Sequence, residues 1–204
     1  TVAFALTGGD DGTMLQGLLR RLAIPCHFLD VPGTTRNNYK IRTLRPRALT
    51  EVNTAGPRIS GAVLQRRLFA LHRARCVVLS GSLPPGVPAA IYQRWIHALR
   101  VRHIPCVLDT SGASLRSGLR ASPWLVKPNR QEAEEVLGQR LTRRVHQVRA
   151  VRALLQFGPD VVILSLGADG ALMGHSGTSE LWWGKPPVVR VASDKFSKET
   201  PFAV

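Results

Sequence analysis

Among the 204 residues there are three cysteines, 13 acidic residues, five lysines and 6% aromatics. No apolar run approaches the roughly 18 residues of a membrane-spanning helix, so no membrane partner is expected. No basic-then-apolar leader opens the sequence either, and Thr1–Leu6 already reads as a buried strand, as if the chain began inside a domain. The three cysteines, Cys26, Cys76 and Cys106, lack metal-like spacing and each stands at or near the start of an apolar strand. An odd number so arranged predicts reduced, buried thiols and a cytoplasmic protein. The six histidines (27, 72, 97, 103, 146 and 175) show neither metal spacing nor a nucleophile partner. No Gly-rich loop ending in Lys-Ser/Thr is present. There is no internal repeat, low-complexity segment or linker, which predicts a single domain over residues 1–204.

Against that scarcity stands an excess of arginine. Twenty-eight basic residues give a net charge of +15, and Lys occurs only at 40, 127, 185, 195 and 198. Such a charge favours anionic partners. The arginines are dispersed, as at Arg20-Arg21, Arg66-Arg67 and Arg143-Arg144, whereas a nucleic-acid surface usually shows clustering. Solvated faces with an arginine bias therefore account for them better than a nucleic-acid partner. A basic nucleic-acid-binding module stays as an alternative resting on charge alone.

Hydrophobic residues make up 44% of the chain, enough for a real core. Short apolar runs alternate with helix-like ones. Asp11–Leu22 carries Leu15, Leu18, Leu19 and Leu22 on one face, and Ser60–Ala74 carries Leu64, Leu68 and Leu71 behind a Ser60 cap. Strands are predicted at 76–79, 105–108, 124–126, 161–164 and 188–191. Helices are predicted from Pro88, with Ile91, Trp95, Ile96 and Leu99 inward, and at 111–119, 130–137 and 145–157. Residues 172–184 read as a hairpin. The alternation predicts an α/β fold, a mostly parallel sheet with helices on both faces. Thr35–Leu44 and Ala48–Asn53 break the pattern, being polar and strand-like with no helix between them. They predict a small antiparallel flap over about 35–53.

Four segments follow strands, where ligands of an open α/β sheet gather. Ser80-Gly81-Ser82-Leu83-Pro84-Pro85-Gly86 offers hydroxyls to an anion, or is a rigid turn. Asp109-Thr110-Ser111-Gly112 suits either a metal-bound water or a helix cap. In Lys127-Pro128-Asn129-Arg130-Gln131-Glu132, Asn129 and Glu132 share a face and could hold hydrated Mg²⁺. They equally form a capping box. Ser165-Leu166-Gly167-Ala168-Asp169-Gly170 could line a nucleotide, or be a plain turn before a hairpin. On the flap, Arg36, Asn38 and Lys40 fall on one face by the period of two and would suit a phosphorylated substrate. Solvation of an edge strand is the other reading.

Taken in order, these strings resemble the PfkB branch of the ribokinase-like sugar kinases. Nearest is the group of 1-phosphofructokinase, 6-phosphofructokinase-2 and tagatose-6-phosphate kinase. The matching pieces are Gly8-Gly9-Asp10-Asp11-Gly12, Thr35-Arg36-x-Asn38, Ser80 to Gly86, Asp109 to Gly112, Lys127-Pro128-Asn129-x-x-Glu132 and Ser165-Leu166-Gly167-x-x-Gly170. The resemblance implies a three-layer α/β/α sandwich with a β flap acting as a lid. It implies ATP- and Mg²⁺-dependent phosphorylation of a sugar phosphate by in-line transfer, dominated by positioning and charge. It assigns the substrate side to Arg36, Asn38, Ser80 and Ser82. The nucleotide side falls to Lys127, Asn129, Glu132, Ser165, Gly167 and Gly170, with Glu132 meeting the metal through water. Full-length members are expected to form homodimers.

Two departures qualify that expectation. The family's leading strands and G-G-K-G-type stretch have no counterpart here, and its G-A-G-D motif, bearing the catalytic base, is not found after Val188–Val191. The chain there reads Ser193-Asp194-Lys195, and Asp194, lacking the Gly frame, is not given the role. No catalytic residue is therefore assigned. The expectation is an incomplete kinase domain, cut short at both ends; a remnant or pseudokinase that keeps anion binding is the alternative.

Overall fold

Alternation of apolar runs with amphipathic ones yields the strand–helix order that the sequence predicts. The computed structural model describes residues 1–44, 47–65 and 74–186. It begins with β1 (Ala3–Thr7), α1 (Gly9–Arg21), β2 (Cys26–Asp30), β3 (Asn38–Leu44), β4 (Arg47–Asn53) and α2 (Gly61–Gln65). There follow β5 (Val77–Ser80), α3 (Ile91–Arg100), β6 (Cys106–Asp109), α4 (Gly112–Leu119), β7 (Leu125–Val126), α5 (Arg130–Leu137) and α6 (Arg144–Leu155). The series ends with β8 (Val161–Ser165), β9 (Ala171–His175) and β10 (Leu181–Gly184). Strands β5 to β10 form one six-stranded sheet in the order β10-β9-β8-β7-β6-β5. β5 to β8 are parallel, and β8-β9-β10 continue antiparallel.

Register explains the core. Leu79, Leu108, Val126, Val162 and Gly174 fall in one row across five strands, and all are buried. Helices α3 to α6 cover that row, because successive crossovers step the same way along the sheet and right-handedness puts them on one face. The approach is close. A Cβ on Gly118 of α4 would lie 2.6 Å from Leu108 Cδ2, and one on Gly174 would lie 2.6 Å from Val151 Cγ1 of α6. On α3, Ile91, Trp95, Ile96 and Leu99 point inward as the periodicity predicts, joined by Tyr92. The alternate residues of the strands face the other side, where Val78 is 62% exposed.

β1 and β2 pair parallel as a separate two-stranded sheet under α1, and β3 and β4 form the flap, an antiparallel ladder from Asn38↔Asn53 to Leu44↔Arg47. The separateness of β1–β2 corrects the expectation of a buried first strand: Val2 and Phe4 lie 59% and 40% exposed, since no helix layer among the described residues covers that side. Leu18 and Leu22 of the expected inward face of α1 are likewise exposed. Of the cysteines only Cys106 is buried; Cys76, one residue before β5, is exposed. Pro88 precedes α3 rather than opening it, its carbonyl accepting the Ile91 N–H at 2.9 Å. Leu68, Leu71 and the expected strand 188–191 lie outside the described residues, as does Asp194.

Ala23 follows α1 at φ +51°, a left-handed position that glycine fills without strain. Ala23→Gly is therefore expected to stabilise the protein by about 0.5–1 kcal/mol, with the loss of unfolded-chain restriction offsetting part of the gain. Urea unfolding at unchanged m-value checks it.

Candidate functional site

Because β5 to β8 run parallel, their carboxyl ends share one edge of the sheet. Ser80, Asp109, Lys127 and Ser165 end or follow those four strands. Ser80 and Asp109 are partners in register, and an isolated parallel bridge sets Asn129 beside Ser165. Residues widely separated in sequence are thus aligned on one rim.

The flap reaches this rim from α1. Thr35 N–H donates to the Gly8 carbonyl at 2.8 Å, Gly8 N–H donates to Thr35 Oγ1 at 3.0 Å, and Asn37 Nδ2 donates to Asp11 Oδ2 at 2.7 Å. A Cβ on Gly12 would sit 2.9 Å from Thr35 Oγ1. The Gly8–Gly12 string therefore reads as the docking seat of the flap. Beyond that seat Arg36 donates through Nε to Asn38 Oδ1 at 2.9 Å and through Nη1 to Ser82 Oγ. Three of the four substrate-side residues expected from sequence are so brought together. Lys40 is not with them; it pairs with Glu51 at 3.3 Å across the flap ladder.

The loop after β5 is held at both ends. At its start Gly81, φ +88°, donates to the Asp109 carbonyl at 3.0 Å, and its own carbonyl accepts from Thr110 Oγ1 at 2.9 Å and Tyr92 Oη at 3.1 Å. At its end the Pro85 carbonyl accepts the Ile59 N–H at 3.0 Å, and a Cβ on Gly86 would lie 2.5 Å from the Ile59 carbonyl oxygen. Burial pushes the Tyr92 phenol up to about 12, so it stays protonated and donates at any ordinary pH.

On the other side Asp109 and Lys127 form an ion pair at 3.1 Å, both side chains partly exposed. Asn129 Oδ1 accepts the Glu132 N–H at 2.9 Å and Glu132 Oε2 accepts the Asn129 N–H at 2.8 Å, so the capping box of α5 is present. Glu132 keeps its second carboxylate oxygen and Asn129 its amide NH₂, neither with a partner among the described residues. Ser165 N–H donates to the Pro128 carbonyl at 2.9 Å, tying β8 to the same segment. Gly167, φ +63°, has nothing within 4 Å of where a Cβ would stand, whereas Gly170, φ +94°, packs against Gly184. Arg130 of α5 pairs with Asp169 of this loop at 2.8 Å.

Asp109 joins the two halves, its backbone holding Gly81 and its carboxylate holding Lys127. By sequence alone Asp109 is a cap or a water-orienting acid and Thr110 only its neighbour in the same string, while Tyr92 and the Asp11–Asn37 bond are not foreseen. The only signal for Asp109 and Thr110 was their place at a strand end; nothing marked Tyr92 apart from a core aromatic. The rim is exposed to solvent at Ser80, Gly81 and Ser82. Two cavities among the described residues, of about 540 and 240 Å³, lie elsewhere, along the outer side of α5 and beside the amino ends of β6 to β8.

The arrangement has counterparts. The model of the pfkB family of carbohydrate kinases matches residues 1–191. The chain belongs to the pfkB carbohydrate kinase family. It is 38% identical over 191 residues to the 1-phosphofructokinase of Escherichia coli K12, covering 91% of this chain and 60% of that protein. The chain thus spans about 60% of the length of this curated pfkB relative. Among solved structures, phosphofructokinase-2 from E. coli in complex with fructose-6-phosphate superposes with a TM-score of 0.81 at 26% identity, over 93% of this chain and 63% of that one. Ribokinase from Giardia lamblia shares the fold at a TM-score of 0.73, with 16% identity over 90% of this chain and 59% of that one. The pfkB chain is therefore ribokinase-like in fold, α/β with a mostly parallel sheet. Among its described residues no helix is long and apolar enough to cross a membrane, and no cluster of three or more His, Cys, Asp or Glu could cage a metal.

Proposed function

We propose that this pfkB chain takes part in ATP-dependent phosphorylation of a sugar phosphate of the phosphofructokinase type. The observation carrying the reading is the convergence of Arg36 on Ser82, from elements 46 residues apart, at the carboxyl rim of the sheet. A guanidinium and a hydroxyl so joined make a donor pair for a phosphate oxygen. In this reading Arg36 and Ser82 bind the phosphate that the sugar already carries, and Asn38 and Ser80 belong to the same substrate side. Lys127, Asn129 and Glu132 face the ATP phosphates, and Ser165, Gly167 and Gly170 line the nucleotide. The open space over Gly167 leaves room for it.

The donor set fits Mg²⁺, which keeps most of its waters and takes few protein oxygens. Glu132 offers one carboxylate oxygen, enough to hold such an ion through water. When bound, the ion would draw negative charge from the phosphates undergoing transfer. The chain's own part is to align donor and acceptor in line and to neutralise charge with Lys127 and Arg36. Its 204 residues contain no G-A-G-D sequence, and no catalytic base is assigned. The proposal for these residues is consequently binding of both substrates with little turnover, since general-base help supplies about 10²–10⁴-fold.

A coupled ADP-release assay with fructose 1-phosphate, fructose 6-phosphate and tagatose 6-phosphate tests this. Binding of a sugar phosphate and of ATP by calorimetry, with turnover far below about 10 s⁻¹, is the expected result. Turnover near that figure would overturn the second half, and no binding of any of the sugar phosphates would overturn the first. We extend the reading to a cytoplasmic location and a homodimer. Tyr39, Ile41 and Val52, exposed on one face of the flap, are the apolar surface supporting the latter, and sedimentation checks it.

A further inference from the structure

The bond that Arg36 makes to Ser82 fixes one oxygen, yet the loop holds a second donor at the same residue. The Gly81–Ser82 peptide is planar and trans, so the Gly81 carbonyl and the Ser82 N–H point in opposite directions. Thr110 Oγ1 and Tyr92 Oη both bind that carbonyl, at 2.9 and 3.1 Å. Thr110 is 5% exposed and Tyr92 6%, so the carbonyl is drawn toward the interior between β6 and α3. The Ser82 N–H is thereby turned away from the interior, on the side of the open rim. It has no acceptor among the described residues.

Glycine makes this orientation insecure without help. At φ +88° Gly81 occupies backbone space that a residue with a side chain rarely visits, and without a Cβ its ψ, about which the 81–82 peptide turns, is equally unrestricted. A flip of the 81–82 peptide would turn the N–H inward and the carbonyl oxygen outward, presenting a negative dipole to an incoming anion. Two interior hydrogen bonds on the carbonyl oppose that flip.

We propose that the main-chain N–H of Ser82 is a third phosphate donor beside Arg36 Nη1 and Ser82 Oγ, and that Tyr92 and Thr110 are positioning residues that hold it outward. The proposal rests on the sugar-phosphate reading above for the identity of the anion. The two residues touch neither substrate; they act through the Gly81 carbonyl, with Tyr92 Oη also reaching the Ser80 carbonyl at 3.4 Å.

The test uses the full chain, with Tyr92→Phe, Thr110→Val and the double variant, each nearly isosteric and each deleting a hydroxyl. Calorimetric titration with fructose 1-phosphate is expected to show about three- to tenfold weaker binding for each single variant and a larger loss for the double, with ATP affinity unchanged. In ¹⁵N-labelled protein the Ser82 amide proton is expected to shift downfield on adding fructose 1-phosphate or inorganic phosphate, and to shift less in either variant. A variant that only loosened the fold would weaken both ligands and lower the melting temperature, without a selective change at the Ser82 amide. Arg36→Ala separates the two levels. If Arg36→Ala leaves fructose 1-phosphate binding intact, the sugar-phosphate reading itself fails. If Arg36→Ala weakens it while the double variant does not, or the Ser82 amide is silent to phosphate, the positioning role is wrong.

Discussion

Gly170→Ala is expected to destabilise the protein by about 3 kcal/mol or more, with loss of any nucleotide binding in the population that still folds. A Cβ there would stand 2.0 Å from the Gly184 carbonyl oxygen and 3.1 Å from its carbon, backbone atoms that cannot swing aside. The conformation compounds the clash. Gly170 sits at φ 94°, ψ −139°, close to a region that only glycine visits. Relief requires parting β10 from the turn into β9, which would break the pairing of Gly184 with Ala171. Gly167→Ala is the internal control. Its φ of +63° is left-handed but nothing lies within 4 Å, so its cost is expected near 1 kcal/mol. Guanidinium unfolding of the two variants side by side reads the difference; equal losses would mean that crowding at Gly184 is not what fixes the turn.

Arg36→Ala is expected to weaken sugar-phosphate binding by about ten- to a hundredfold while leaving ATP almost untouched, since a charge-assisted contact contributes about 1.5–3 kcal/mol. Asn129→Ala should do the reverse. It removes half of the capping box that presents Glu132 and, by the proposed reading, the amide nearest the ATP phosphates. Its cap loss alone is worth about 1 kcal/mol of stability, so affinity is to be read well below the melting temperature. Calorimetric titration of each variant with each ligand gives a two-by-two pattern. Equal losses in Arg36→Ala for both ligands would remove Arg36 from the substrate side. Joint losses that fall steeply with salt would instead favour binding of a nucleic acid through dispersed phosphate contacts.

Much of the fold was legible from residues alone. α5 begins and ends where its periodicity puts it, because an Asn-x-x-Glu box starts it and Gly138, φ +68°, stops it. The strands that lead into the site were readable because strands buried in a parallel sheet show as short continuous apolar runs. The separate pairing of β1 with β2 was not, since an apolar run reports that a segment favours burial and not which neighbour supplies it. The exposed Cys76 escaped for the same reason: the boundary of β5 falls one residue after it.

For the proposed site, residue order and type pointed to Arg36, Asn38, Ser82, Lys127, Asn129 and Glu132 as candidates, since each stands at a strand end or on the flap with a side chain suited to phosphate or magnesium. What the sequence could not decide is which of them meet. Arg36 and Lys40 are equivalent by a period of two, yet cross-strand register gives Lys40 to Glu51 and leaves Arg36 for Ser82. Asp109 becomes the joint between the two halves only because parallel pairing sets it beside Ser80 and one strand from Lys127. The direction of the Ser82 N–H lies further still from the sequence, depending on a buried phenol ten residues on and a threonine from the next strand end. Composition and local pattern determine which segments become strands and helices and which chemistry each end carries. Long-range hydrogen bonds decide where a peptide points, because a single glycine leaves that direction open until tertiary contacts close it.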